Sequence, residues 1–189
     1  MSATSIVLRV ESFFGTLRRV DERVETLLSV QTYDDASVSR TADEATSALA
    51  ELGDALVAGI HLFHPDHGIL GLASALTANP AALAFDPRPV AFVLSATGLF
   101  VGLSLSRNAP NRRPYYAAGV LLAATYFLGY FAWHFTGHGG FLPGREPLFH
   151  GLSPVENVVV HITGDAWAAA SKLAEAGMIA TLSLLYRRG

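Results

Sequence analysis

"YYAAGVLLAATYFLGYFAWHF", residues 115–135, contains no Asp, Glu, Lys or Arg. A helix crossing a bilayer needs about 20 mostly apolar residues, and this stretch meets that length. Two neighbours have the same character. "VAFVLSATGLFVGLSLS" covers 90–106, and "AWAAASKLAEAGMIATLSLLY" covers 166–186 with Lys172 and Glu175 inside it. A fourth apolar stretch runs from about Leu49 to Ala78 and is interrupted by "HPDHG" at 64–68. The expected fold is all-α: an integral membrane bundle of about four transmembrane helices, with an amphipathic helix at the N-terminus.

Composition agrees. The 189-residue chain is 51% hydrophobic and 15% charged, whereas soluble domains carry about 25% charged residues. Net charge is −3, so no basic field recruits nucleic acid. The chain has no cysteine, which removes disulfides, thiolate metal sites and thiol catalysis together. Any metal site must draw on His, Asp, Glu and backbone oxygens. Arginine outnumbers lysine 12 to one, and 10 of the 16 acids fall within the first 54 residues. That bias suggests a halophilic, GC-rich source.

Residues 1–45 read as a cytoplasmic arm. Leu17, Val20, Val24, Leu27 and Leu28 recur at helical spacing between charged residues, as in an amphipathic helix. No cleaved leader is expected, because charges interrupt the apolar residues early. "QTYDDASVSRTADEA", 31–45, reads as a polar linker with a helix cap near Ser39 or Thr41. Residues 46–189 then form the transmembrane domain, with an outer loop at 136–165.

Arginines set the topology. "RNAPNRRP" separates the second and third spans, and "YRRG" follows the fourth. The positive-inside rule makes both cytoplasmic. A cell-membrane, multi-pass chain with both termini in the cytoplasm follows. All seven histidines then fall at the outer side, with Trp133 and Trp167 marking the same boundary.

"HPDHG" admits two placements. Pro65 can end the first span, since proline lacks an N–H and clashes with the preceding turn; "GILGLASALTA" is then a short interfacial helix. Alternatively one broken helix carries the histidines to mid-membrane, where they need a cavity or an ion. The first placement is favoured.

The histidines carry the candidate chemistry. His134 and His138 are four apart and would share a helix face, a recurrent way to hold one metal. His61 and His64 are three apart. If the two helix ends meet, these four converge, with His67 and Asp66 beside them as a further ligand or ring-orienting carboxylate. Neutral imidazole suits Zn, Cu, Ni or Fe over Mg or Ca. Histidines facing each other across the bundle, His61 or His64 with His134, would alternatively suit haem. Solvated, incidental histidines at a membrane surface are the plain alternative, and GHGG is then only a helix terminus.

"HLFHPDH", His61 to His67, resembles the HX4DH signature of the nickel/cobalt transporter family. The resemblance implies His61, Asp66 and His67 as ion ligands on a transmembrane helix. The segments "HPDHG", "FDPRPVAFVLS" and "YFAWHFTGHGGFLPGREPLFHG" also resemble haloarchaeal multi-pass membrane proteins of unassigned function.

Lys172 and Glu175 lie roughly 9 and 13 Å along their helix from Ala166, at about 1.5 Å per residue. Charges at such depth pair, snorkel or line a polar path. They read either as a helical ion pair or as part of an ion or proton path. Gly98 and Gly102, in "GLFVG", permit close helix packing in the bundle or at a homo-oligomer face. In the long outer loop, Ser153-Pro154-Val155-Glu156 reads as a helix start. His161 would follow on that helix, facing the bundle or solvent.

No phosphate-cradling glycine loop, GxSxG elbow or HExxH is present, so the balance leans away from catalysis. The leading expectation is a membrane protein that binds a transition metal ion for transport, sensing or structure. The alternatives are an accessory subunit that docks on a membrane protein partner, and a haem or quinone electron-transfer protein. In each the lipid bilayer is the constant partner.

Overall fold

The computed structural model describes residues 35–188. The amphipathic arm read over Leu17–Leu28 lies outside the described residues. Seven helices follow in order: α1 (Asp35–Leu62), α2 (Ile69–Ala78), α3 (Ala82–Phe85), α4 (Arg88–Ser106), α5 (Arg113–Phe135), α6 (Pro154–Gly164) and α7 (Ala166–Arg188). No strand occurs among the described residues. Three of the helices, α4, α5 and α7, are long and apolar enough to cross a membrane. They coincide with the three charge-poor stretches of the sequence to within a few residues.

α1 begins at Asp35, inside the stretch read as a polar linker, so Ser39 and Thr41 lie within a helix and cap nothing. Extending an existing helix adds one hydrogen bond per residue fixed and avoids a new nucleus. The Ala- and acid-rich sequence 42–50 offers little resistance to that extension. At the other end the chain leaves the helix after Leu62. The imidazole Nδ1 of His64 accepts from the backbone N–H groups of Asp66 and His67, at 3.2 and 3.1 Å. Gly68 N–H returns to the His64 carbonyl at 2.8 Å. The chain then restarts as α2. A helix thus ends before Pro65, and a separate short apolar helix follows it.

α1 packs on α4 and α7, and α7 packs on α5. Ala50, Val57, Ala58, Ala96, Leu99, Ala123, Met178 and Leu182 form the shared core. Small residues set the spacing. A Cβ on Gly53 would stand 3.5 Å from the Met178 backbone, and one on Gly119 would stand 2.5 Å from Leu182 Cδ1. Close approach through small residues is how helices pack where lipid offers no hydrophobic drive.

The distribution of polarity is inverted relative to a bundle built for water. Leu94, Leu121, Leu128 and Leu173 are 65–76% exposed, while Glu175 is fully buried and His61 and Lys172 nearly so. Outward leucines with inward ions suit a hydrocarbon surround.

The two ends of the bundle differ in chemistry. At one end Arg107 meets Glu51 at 3.4 Å, Arg188 meets Asp43 at 2.6 Å, and Arg113 Nε donates to the Tyr186 carbonyl at 3.1 Å. The histidines gather toward the opposite end. Arg88 and Arg145 also lie there, over the Trp133 ring at 4.2 and 4.6 Å.

Among the described residues, a Cβ at Gly98 or Gly102 would meet no atom within 4 Å. Both glycines line a groove of about 460 Å³ between α1, α4 and α5, with Asp54, Gly119 and Leu182 also on its walls.

Candidate metal centre

α5 ends at Phe135, so His134 is its last histidine and His138 lies beyond the helix. Their rings still meet, with centroids 4.9 Å apart. Helical spacing does not bring them together; the turn after the helix does. Gly137, His138 and Gly139 have φ of +68°, +56° and +82°. Three successive left-handed residues fold the chain back over the helix end. Gly139 N–H bonds the Trp133 carbonyl at 2.9 Å, and Leu148 N–H bonds the Gly137 carbonyl at 2.9 Å. A Cβ at Gly139 would lie 2.5 Å from the Trp133 ring, and one at Gly137 would lie 2.7 Å from Leu148 N. Only glycine fits at both.

Among the described residues, the non-glycine residues with positive φ are His138 and His150. Histidine tolerates this region better than bulky residues do, yet it remains uncommon there. Residues held in such conformations cluster at functional sites.

α6 supplies the third histidine. Ser153 caps the helix with a capping box to Glu156, and Pro154 is in its first turn. One turn in, Asn157 is fully buried. Its side-chain Nδ2 donates to the His134 carbonyl at 2.6 Å. Its own carbonyl is 2.7 Å from Nδ1 of His161. A carbonyl can only accept, so Nδ1 carries the proton and Nε2 of His161 keeps the lone pair. This orienting bond is the kind that fixes a ligand ring from behind. The His161 ring stacks on His134 at 4.5 Å and meets His138 edge-on at 4.6 Å. His161 therefore faces the bundle, a direction the sequence left open.

His134, His138 and His161 each present a nitrogen within 4.8 Å of the others. Nδ1 of His134 and Nε2 of His138 are buried and make no hydrogen bond. Two nitrogens on one tetrahedral zinc stand about 3.4 Å apart, given Zn–N bonds of about 2.0–2.1 Å. His150 is exposed, 5.1 Å from His138 by centroids, and stands beside the three as a fourth imidazole. Burial lowers the His138 imidazole below its ordinary value, and the neighbouring His161 and His150 lower it further. The ring is thus held neutral, the form that ligates.

The other expected ligands lie in a second group at the end of α1. His64 and His67 stack at 4.7 Å, and both rings meet the edge of Phe92, at 5.4 and 5.7 Å. His64 also meets Trp167. The Nδ1 lone pair of His64 is already committed to the turn. Burial, with Arg88 and His64 nearby, lowers His67 to about 4, and burial also lowers His64. Asp66 is exposed on the same turn.

His61 is separate again. It lies on α1 and is buried against α4, α5 and α7, with Nε2 3.5 Å from Oε1 of Glu175. Lys172 joins it there, Nζ 2.5 Å from Oε2 of Glu175 and 3.1 Å from the Tyr126 carbonyl.

The six histidine and aspartate ligands expected from sequence are thus divided between sites. His161 and His150 are outer histidines outside the ligand set expected from sequence, and Asn157 is not part of that expectation. An Asn four residues before a His, on a helix otherwise rich in valine, was the available signal. No family model matches the sequence, and no curated protein or solved structure matches it.

Proposed function

We propose that this chain is an integral membrane protein that holds one transition metal ion at its outer end, through His134, His138 and His161. The observation carrying this reading is the convergence of three imidazole nitrogens, one of them oriented by Asn157. An all-imidazole set favours Zn, Cu, Ni or Fe. Three ligands leave a position for water or for the exposed His150. An accessible fourth imidazole beside a half-buried trio suits an ion that is received from outside and held, for transport or sensing.

The arginine-rich end supports a cytoplasmic placement of the C-terminus and of the α4–α5 connection. The histidine end then faces outward, and α1 completes a fourth crossing with Glu51 near the inner boundary.

The test is metal content by mass spectrometry on protein purified in mild detergent without a histidine tag. About one ion per chain is expected, lost in the His134→Ala/His138→Ala variant. No ion in either, after controlled reloading, would reject the reading.

A second reading has one observation behind it. The open groove at Gly98 and Gly102 suits a helix from another membrane subunit. An accessory role would then rest on that face, and a protein that is monodisperse without partners would argue against it.

A further inference from the structure

We infer that His61 and Glu175 together bind one proton inside the bundle, beside the ammonium of Lys172 that already balances the Glu175 carboxylate. This does not rest on the metal reading, because the pair is formed by α1 and α7 and touches none of the three proposed ligands.

The geometry defines a missing proton. Nδ1 of His61 lies 2.7 Å from the Val57 carbonyl. That carbonyl accepts, so Nδ1 carries hydrogen, and Nε2 of a neutral ring is a bare lone pair. Nε2 faces Oε1 of Glu175 at 3.5 Å. Oε1 already accepts from the Ser171 hydroxyl at 2.8 Å, and Oε2 accepts from Lys172. Neither bond offers a hydrogen to Nε2. Two acceptors therefore face one another at a place closed to water, since His61 is 2% exposed and Glu175 is 0% exposed. Unpaired polar atoms are costly there. A single added proton turns the contact into a charge-assisted hydrogen bond.

The surroundings can hold that proton. Lys172 and Glu175 balance each other's charge, so the added proton makes the group a monocation. Phe92 from α4 and Tyr126 from α5 pack their rings against His61 at 4.6 and 4.4 Å, within the roughly 6 Å range of cation–π attraction. The titratable and charged groups facing the pair are few. Lys172 lies on α7, and Tyr126 and Tyr130 lie on α5, the Tyr130 ring 5.0 Å from the Lys172 ammonium. His64 lies three residues beyond His61, α4 contributes Phe92, and the ionisable side chain of α4, Arg88, lies over Trp133 instead. The proton has one acceptor pair and one fixed cation beside it.

Infrared difference spectroscopy tests this on the full chain in lipid nanodiscs, with chelator present to keep metals away. The titration runs between about pH 4 and pH 9, which brackets carboxylate and imidazole behaviour. A carboxyl band and an imidazole band should change with one common midpoint, the signature of a shared proton. Glu175→Gln and His61→Gln should each abolish that joint step. Glu175→Asp keeps the charge and should retain the step with a moved midpoint, which guards against a Gln variant that fails to fold. Independent midpoints, or a carboxyl change untouched by His61→Gln, would overturn the inference. So would zinc binding at the pair that survives His134→Ala/His138→Ala, because the ligand would then be a metal.

Discussion

The Asn157 side chain reaches from α6 to the backbone of α5, donating to the His134 carbonyl at 2.6 Å. The same residue's carbonyl fixes the ring of His161. One buried amide thus ties the helix that ends at the site to the helix that covers it.

Asn157→Ala should leave the fold intact and weaken metal binding. The substitution keeps the backbone carbonyl that orients His161 and removes only the side-chain tie to the His134 carbonyl, so the loss should fall below the roughly 10- to 100-fold typical of removing an orienting partner. Competition against a zinc chelator measures it. An affinity unchanged in a folded variant would mean that α6 is held by other contacts.

Gly139→Ala should damage the site more than its size suggests. The residue has φ +82°, and its new methyl would collide with Trp133. Left-handed strain costs about 1–3 kcal/mol in a non-glycine residue, before the collision is counted. A lowered thermal midpoint in detergent together with lost metal is the expected pair of results. Gly144→Ala is a control for strain alone, since φ is +75° there with no atom near the new methyl.

Acid should weaken the metal-free protein through His67, a half-buried ring held near 4. Its folded value is below its unfolded value of about 6.5. The unfolded chain therefore binds more protons between the two values, and stability rises with pH across that window. The full contribution is present above about pH 6.5 and is lost progressively toward about pH 4. His67→Gln should flatten the midpoint-against-pH curve in that window. A slope identical to the parent protein's would assign the acid sensitivity to other groups.

The absence of cysteine makes topology directly testable. Single substitutions Ala109→Cys and Leu152→Cys add one thiol each to a cysteine-free chain. A membrane-impermeant maleimide added to intact cells should label position 152 and spare 109 until the cells are lysed. The reverse pattern would invert the topology.

Three spans were legible in the sequence because each is a charge-poor apolar run near the required length, the last carrying only Lys172 and Glu175. Ser153-Pro154 was legible because its cap chemistry is local. The breadth of α1 was not, since polarity at 35–45 reads equally as linker or as exposed helix. The site was legible in part. His134 and His138 do meet, but through a left-handed glycine turn instead of a shared helix face. The grouping of seven histidines into separate clusters depends on which helices pack, and spacing along the chain does not carry that. Lys172 and Glu175 were recognisable as a pair, while the approach of His61 from α1 was not.

X-ray absorption at the edge of the bound metal tests the central claim most directly, because it counts ligands instead of ions. Three imidazole nitrogens at about 2.0–2.1 Å are expected, falling by one in a His161→Ala variant reloaded with zinc. A shell made of oxygen, or one unchanged by His161→Ala, would contradict a centre built from His134, His138 and His161.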